Sequence, residues 1–374
     1  MTTAEASSSA AASPTLPFWV MPTAKVLAII AGLAALVFAL VASGITPKGS
    51  IAYKIIAAPF IEMRDLPDLF VQTLWEGTVA GILYALIALG FVLIFKASGV
   101  FNFAQGIMVV FAGLSLVGFY ELFARNGFTG PLAAYTALFL ALGVMALLAI
   151  SVERFVLRPL VNQPDIILFM ATFGLSYFLV GLGESIFGGR PKVMIASELG
   201  LPKGAIDFAI LGGRVTLQKI DIAAAVIATL MIIALAVFFQ KTRIGRALRA
   251  VADSHKAALS VGISLNQIWI VVWFAAGVVA LVTGIMWGAR SDVSFGLQNI
   301  ALKALPVLIL GGFTSVPGAI VGGLIIGIGE KLGEFYWGPL LGGAIETWLA
   351  YVIALGFLVF RPQGLFGDKI IERI

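Results

Sequence analysis

Residues 240–263 read QKTRIGRALRAVADSHKAALSVGI and form the one long basic, polar stretch between two hydrophobic runs. Loops rich in lysine and arginine stay in the cytoplasm, so the stretch predicts a cytoplasmic segment between two membrane spans. Ile244, Leu248 and Val251 recur at i, i+4 and i+7, which predicts a short amphipathic helix at the membrane surface. The alternative is a basic loop that only fixes the topology or contacts anionic lipid.

The opposite face of the predicted helix carries charge. Arg246, Arg249 and Asp253 fall on that face, and Arg249 and Asp253 have the i, i+4 spacing of an ion pair. Asp253 or Ser254 is placed to cap a second short helix that ends at Gly262. A short helix with one apolar ridge and one arginine face suits docking into the groove of a partner protein.

A family resemblance appears in the same stretch. The pattern Thr242-x-x-Gly245-x-x-x-x-Arg249-Ala250, followed by Gly262-Ile263, closely resembles the coupling loop of the branched-chain (hydrophobic) amino-acid ABC transporter permeases. In that family the loop docks on a separate ATP-hydrolysing subunit. The resemblance therefore implies an ATPase-coupling role for Thr242, Arg243, Gly245, Arg246, Arg249, Ala250 and Gly262.

Composition indicates an integral membrane protein. Hydrophobic residues make up 60% of the chain and charged residues only 11%, which the surface of a soluble protein of this length would not tolerate. We expect one polytopic permease domain over residues 24–374, preceded by a disordered tail over residues 1–23. Without cysteine and with a single histidine, the sequence predicts no disulfide framework and no metal site. The small excess of basic residues fits cytoplasmic loops better than nucleic-acid binding.

The fold class predicted is an all-α integral membrane protein with about ten transmembrane helices, some of them broken or re-entrant. With ten spans, most of the basic loops fall on the same side of the membrane as both termini, which predicts that this side is the cytoplasm. The basic loop 190–221 is an exception, because it falls on the external side. For residues 26–45 a cleaved signal peptide is the competing interpretation. The run 300–313 is short and carries Lys303 and Pro306, so it is expected to be broken or re-entrant. The predicted spans are 26–45, 74–95, 106–123, 131–152, 166–187, 222–239, 268–287, 300–313, 316–332 and 347–360.

Two glycine-rich bends, at residues 98–106 and 311–318, interrupt these spans. Irregular backbone at membrane depth is tolerated only inside protein or beside a cavity, so we expect the bends to flank a translocation path, with tight helix packing as the alternative. Stretches at 81–90, 102–106, 172–176 and 361–367 resemble motifs of the same family over about residues 70–368, with Gln105 in place of its usual histidine. The candidate path and gate residues are Asn102, Gln105, Gly106, Thr172, Ser176, Glu184, Thr314, Ser315 and Gly318.

Several polar positions have a plainer interpretation. Thr172 and Ser176 more often bond to the backbone of their own helix than line a cavity. The cluster Glu330, Lys331 and Glu334 is expected to be a solvated helix end near the outside, or a docking surface for an external protein. The middles of the predicted spans are otherwise nearly empty of ionisable residues, which disfavours proton- or sodium-coupled carriers.

The sequence contains no G-x-x-x-x-G-K-[ST] motif, so this chain is not expected to bind ATP, and no Ser/His/Asp catalytic set is available. The resemblance implies the membrane subunit of an ATP-driven importer of the bacterial inner membrane, which works by alternating access. It also implies a homologous second permease subunit, two cytoplasmic ATPase subunits that hold ATP and magnesium, and an external solute-binding protein. The implied substrate is a hydrophobic or branched-chain amino acid, although related permeases carry urea, amides or aromatic carboxylates. The alternative is an ion-coupled secondary carrier of small organic solutes.

Overall fold

A computed structural model describes residues 53–99, 101–160, 163–210, 212–253 and 255–367. The predicted tail (1–23) and the first predicted span (26–45) therefore lie outside the described residues. The chain divides into two compact units, Met1–Asp65 and Leu66–Ile374. The described part of the first unit is a π-helical turn, Tyr53–Ala57, followed by helix α1, Ala58–Asp65.

The second unit is built almost entirely from helices. Within the described residues, seven of them are long and apolar enough to cross a membrane, which confirms a polytopic helical protein but not the count of ten. The last predicted span is only 12 residues long as a helix. The helices are α2 (Pro67–Ser98), α3 (Gln105–Arg125), α4 (Pro131–Val152), α5 (Asp165–Phe187), α6 (Lys219–Lys241), α7 (Arg243–Asp253), α8 (His255–Ser260), α9 (Leu265–Ser291), α10 (Leu297–Leu302), α11 (Ala304–Gly311), α12 (Val316–Leu341) and α13 (Leu349–Phe360).

Helix α2 forms the centre of this unit and is the most buried of the seven candidate spans. Pro67 starts it, since a proline in the first turn needs no hydrogen-bond partner, and Gly99 ends it in the left-handed conformation. Its glycines meet those of α12 backbone to backbone: a Cβ atom built on Gly81 would lie 2.7 Å from the carbonyl oxygen of Gly323, and one on Gly327 would lie 2.3 Å from the nitrogen of Gly81. Small residues at four-residue spacing allow this close crossing.

Helices α10 and α11 replace the predicted span 300–313 and confirm the expected break. Lys303 separates the two helices. A break inside the membrane leaves carbonyl groups without helical partners, and these must be satisfied within the protein. Here the Tyr351 hydroxyl of α13 donates to the carbonyl oxygen of Leu302 at 3.1 Å.

The expected all-α membrane fold is confirmed, and the loop between α5 and α6 adds one antiparallel hairpin that the sequence analysis did not predict. Strand β1 (Ala205–Ile210) pairs with β2 (Gly213–Gln218), with Ala205 opposite Gln218. The turn passes through Gly212, whose φ of 88° is strained for other residues. The alternation of Ile206, Phe208 and Ile210 was the available signal, because period-two patterning next to glycine is typical of a hairpin.

Candidate functional site: a surface helix and two buried bends

The predicted amphipathic helix is present as α7. Its ridge residues Leu248 and Val251 are 2% and 0% exposed, whereas Arg243 and Arg246 face outward. Thr242 joins α6 to α7: its hydroxyl donates to the carbonyl oxygen of Phe238 at 2.6 Å and accepts the Gly245 N–H at 3.1 Å. One side chain thus closes the end of one helix and caps the start of the next.

Gly245 and Arg249 press α7 against the end of α6. A Cβ atom on Gly245 would lie 2.1 Å from the carbonyl oxygen of Phe239, so this close approach requires glycine. The Arg249 guanidinium donates from Nη1 to the same carbonyl oxygen. Arg249, predicted to share with Arg246 the face opposite the apolar ridge, is half-buried against the end of α6, whereas Arg246 is exposed. A cation near a helix C-terminus is favourable, because the last carbonyls carry partial negative charge.

The remaining coupling-loop predictions are settled in part. Gly262, with φ of 81°, follows α8, and the Ile263 N–H bonds the carbonyl oxygen of Ala258 at 3.0 Å, so the second short helix ends as predicted. Ala250 is half-buried on α7. The cap from Asp253 or Ser254 and the pair Arg249–Asp253 involve side chains outside the described set and stay predictions.

The first bend turns back into the bundle before α3 begins. Gln105, the first residue of α3, lies against Gly90, about two turns before the end of α2. Its amide Nε2 donates to the carbonyl oxygen of Ala276 on α9 at 3.3 Å. Asn102 fixes the loop by donating to Oε1 of Gln105 at 3.4 Å and accepting the Ala104 N–H at 3.1 Å. Both side chains are fully buried, so the bend is a closed polar core inside the protein.

Helix α5 holds this bend from the other side. The Thr172 hydroxyl lies 3.1 Å from the carbonyl oxygen of Phe101 and 2.9 Å from that of Phe169, and it accepts the Phe103 N–H at 3.2 Å. Ser176 accepts a hydrogen bond from Nε2 of Gln298 on α10 at 3.3 Å. A Cβ on Gly106 would lie 3.1 Å from the carbonyl oxygen of Gln298, so α10 packs directly on the bend. Sequence reasoning missed Gln298, because no pattern marks it.

The second bend connects α11 to α12. Ser315 caps α12, its Oγ accepting the Gly318 N–H at 3.0 Å. A Cβ atom on Gly318 would lie 2.1 Å from the carbonyl oxygen of Gly311, so the two backbones touch. Glu184 lies apart from both bends, exposed in the last turn of α5. The predicted path residues therefore form two separate clusters and one outlying side chain.

A cavity of about 250 Å³ lies between helix α7 and the second bend. Gly245, Leu248 and Arg249 of α7 line one side, and Thr314 and Ser315 line the other. Lys96, in the last turn of α2, closes the third side. Residues predicted separately as coupling and gate residues thus line one cavity.

Glu330 corrects the predicted solvated helix end. The helix α12 continues to Leu341, so Glu330 lies near its middle, and its side chain is 1% exposed. Its Oε1 pairs with the Lys303 ammonium at 2.6 Å and accepts the Tyr84 hydroxyl at 3.0 Å. The protein thus holds an ionisable pair deep in the bundle, at the break between α10 and α11, where the sequence argument expected almost none.

The network continues from Lys303 to Glu346, 4.0 Å away in a 3-10 turn between α12 and α13, and Glu346 in turn pairs with Lys331. Lys331 and Glu346 are 2.7 Å apart. Burial alone raises the pKa of the Glu346 carboxyl, but the hydrogen bond and charge of Lys331 outweigh it and hold the pKa below its usual value. Among the described residues no cluster of histidine, aspartate or glutamate is arranged to hold a metal ion.

Comparison with known proteins points to one family. A family model described as "Branched-chain amino acid transport system / permease component" matches residues 73–361. The high-affinity branched-chain amino acid transport system permease protein BraD of Pseudomonas aeruginosa is 27% identical over 83% of this chain and 100% of its own length. Its counterpart LivH of Escherichia coli K12 is 26% identical over 82% of this chain and 98% of its own. A solved structure, PsaBC from Streptococcus pneumoniae in complex with Fab, aligns over 82% of this chain and 95% of its own at 14% identity, with a TM-score of only 0.41.

Proposed function

Because this chain belongs to the family of branched-chain amino acid transport permeases, we propose that it forms the translocation path of an ATP-driven importer for a hydrophobic or branched-chain amino acid. It is a multi-pass protein of the bacterial inner membrane and the permease component of its system. The substrate is inferred from the names of its relatives, which are branched-chain amino acid permeases. The orientation that fits this function places both termini and helix α7 in the cytoplasm.

The proposed assembly has four kinds of component. This chain pairs with a homologous second permease subunit, two ATPase subunits bind α7 and its counterpart, and an external solute-binding protein delivers substrate. ATP and magnesium would be held by the ATPase subunits, since the sequence lacks a phosphate-binding P-loop motif.

The observation that carries the proposal is the rigid joint between α6 and α7. The Thr242 cap, the close approach at Gly245 and the Arg249 bond to Phe239 all fix α7 to the last turn of α6. On its inner side, Leu248 of α7 shares a cavity with Leu93 of α2. A partner that moves α7 would therefore move α6 as well and press on α2, as alternating access requires.

Reversal of the Arg246 charge tests this role. Arg246 is exposed on α7, and its Nη1 bond to the Lys241 carbonyl oxygen is long, at 3.4 Å. Arg246→Glu should therefore repel an acidic docking groove while leaving the Thr242, Gly245 and Arg249 contacts of the α6–α7 joint in place. We expect substrate-stimulated ATP hydrolysis of the reconstituted complex to fall at least tenfold, with substrate capture by the binding protein unchanged. Lys203→Glu, an exposed charge reversal just before β1, is the matched control. If substrate still stimulates ATP hydrolysis normally in Arg246→Glu, α7 is not the docking helix.

A second candidate function follows from the buried Lys303–Glu330 pair. Ion-coupled carriers hold ionisable groups at mid-membrane, and this pair meets that description. Uptake into energised vesicles separates the two functions. The importer requires ATP and the binding protein, whereas the carrier would accumulate substrate on an imposed proton or sodium gradient without either.

A further inference from the structure

The cavity between α2, α6, α7 and the second bend is positively charged. Lys96 and Arg249 both line it, and none of the described side chains that line it is a carboxylate. Among the described side chains, neither cation forms an ion pair. Arg249 donates one of its N–H groups to Phe239, and its guanidinium carries four further N–H donors.

The helix ends around the cavity do not cancel this charge. The N-terminus of α12, at Val316 and Pro317, contributes roughly half a positive charge, and the C-terminal ends of α2 and α6 contribute roughly half a negative charge each. The two full cations therefore dominate. Ser315 lines the same space, so two cations and a hydroxyl-bearing residue surround a cavity that suits an anion of a few atoms.

The outer surface of α6 continues from this cavity as an apolar stripe. Val226, Leu230, Ile233 and Val237 are all more than half exposed along one face of the helix. At 3.6 residues per turn this face lies about a quarter turn from Ala236 and Gln240, which line the cavity. A charged space at the end of a span and an exposed apolar helix face beside it match the two parts of a lipid.

We propose that this cavity binds the phosphate group of an anionic phospholipid, with an acyl chain along the α6 stripe. The leaflet is the cytoplasmic one, which rests on the proposed orientation. The bound phosphate would connect Lys96 of α2 to Arg249 of α7 and to the loop that starts α12. The lipid would thus tie the coupling helix to the bundle at the point where α7 and the second bend face each other.

The test is lipid retention by the purified full-length chain in its complex, measured by native mass spectrometry without ATP or substrate. Phosphatidylglycerol should be retained and phosphatidylethanolamine should not. Lys96→Gln should weaken phosphatidylglycerol binding about fivefold, the value of one basic residue at a membrane surface. Lys96→Arg should bind as the unmodified chain does. Lys241→Gln removes the same charge from an exposed position outside the cavity and should have no effect.

Each contrary result overturns the proposal. Equal retention of both lipids, or equal loss in Lys96→Gln and Lys241→Gln, would leave only nonspecific attraction. If millimolar inorganic phosphate protects the complex from heat as well as phosphatidylglycerol does, the site holds a free anion. If Lys96→Gln fails to assemble, the proposal is judged on the unmodified chain alone. It then stands or falls on whether phosphatidylglycerol is retained over phosphatidylethanolamine and protects better than inorganic phosphate. Because binding is measured without transport, its outcome is independent of whether the complex is an importer.

Discussion

Gly318 shows how far a single residue can be interpreted from its surroundings. Its backbone touches Gly311, so Gly318→Ala must separate α11 from α12 or distort both. We expect a loss of about 1–3 kcal/mol in the free energy of unfolding, the usual cost of overpacking, seen as a lower thermal unfolding midpoint in detergent. Gly143→Ala is the control, since nothing lies within 4 Å of its Cβ position in α4. It should be neutral or stabilising by up to about 1 kcal/mol. Equal effects would contradict the packing role.

This geometry favours tight packing over a gate at Gly318, one of the two roles that the sequence left open. Glycine composition predicted an irregular backbone there, because glycine and proline disfavour a smooth helix. It could not predict which other backbone is touched. Arg249 shows the same limit: its helical position was predictable, but its partner Phe239 lies ten residues away, beyond any i, i+4 rule.

At the scale of elements, the Lys303–Glu330 pair joins the broken helix to α12. Lys303→Met leaves the buried Glu330 charge unpaired, which costs about 3–5 kcal/mol. Glu330→Gln should cost less, because Lys303 still has the Glu346 carboxylate 4.0 Å away. The double variant should lose less than the two single losses combined, giving a coupling energy of about 0.5–3 kcal/mol in a thermal unfolding cycle. The exposed neighbours Arg64 and Asp65 form the control pair, whose cycle should give less than about 1 kcal/mol. If the losses of the two single variants simply add in the double variant, Lys303 and Glu330 do not stabilise each other.

The elements themselves were largely predictable. The apolar ridge of α7 and the break near Lys303 follow from the hydrophobic pattern and from a cation and proline in a short apolar run. The length of α12 could not be predicted from the sequence. Glu330 and Lys331 looked like a solvated end, but pairing with Lys303 and Glu346 lets the helix continue to Leu341. The β1–β2 hairpin was missed because its alternation is short and mostly exposed.

At the scale of the molecule, the orientation can be tested by cysteine labelling, because the sequence contains no cysteine. Lys203→Cys and Lys241→Cys are both exposed positions, one before β1 and one at the end of α6. In intact cells stripped of their outer membrane, an impermeant thiol reagent should label Lys203→Cys at once and Lys241→Cys only after permeabilisation. The cysteine-free chain supplies the background. The opposite pattern would invert the topology and place α7 outside.

The crossing of α2 and α12 has a consequence for genetics. Where a side chain fills a contact, a second mutation can often relieve the first by making its neighbour smaller. At Gly81 and Gly323 both partners already lack a side chain, and each faces the backbone of the other helix. A selection for second-site suppressors of Gly81→Val should therefore return only true revertants or changes elsewhere that shift a whole helix, and none at the facing position.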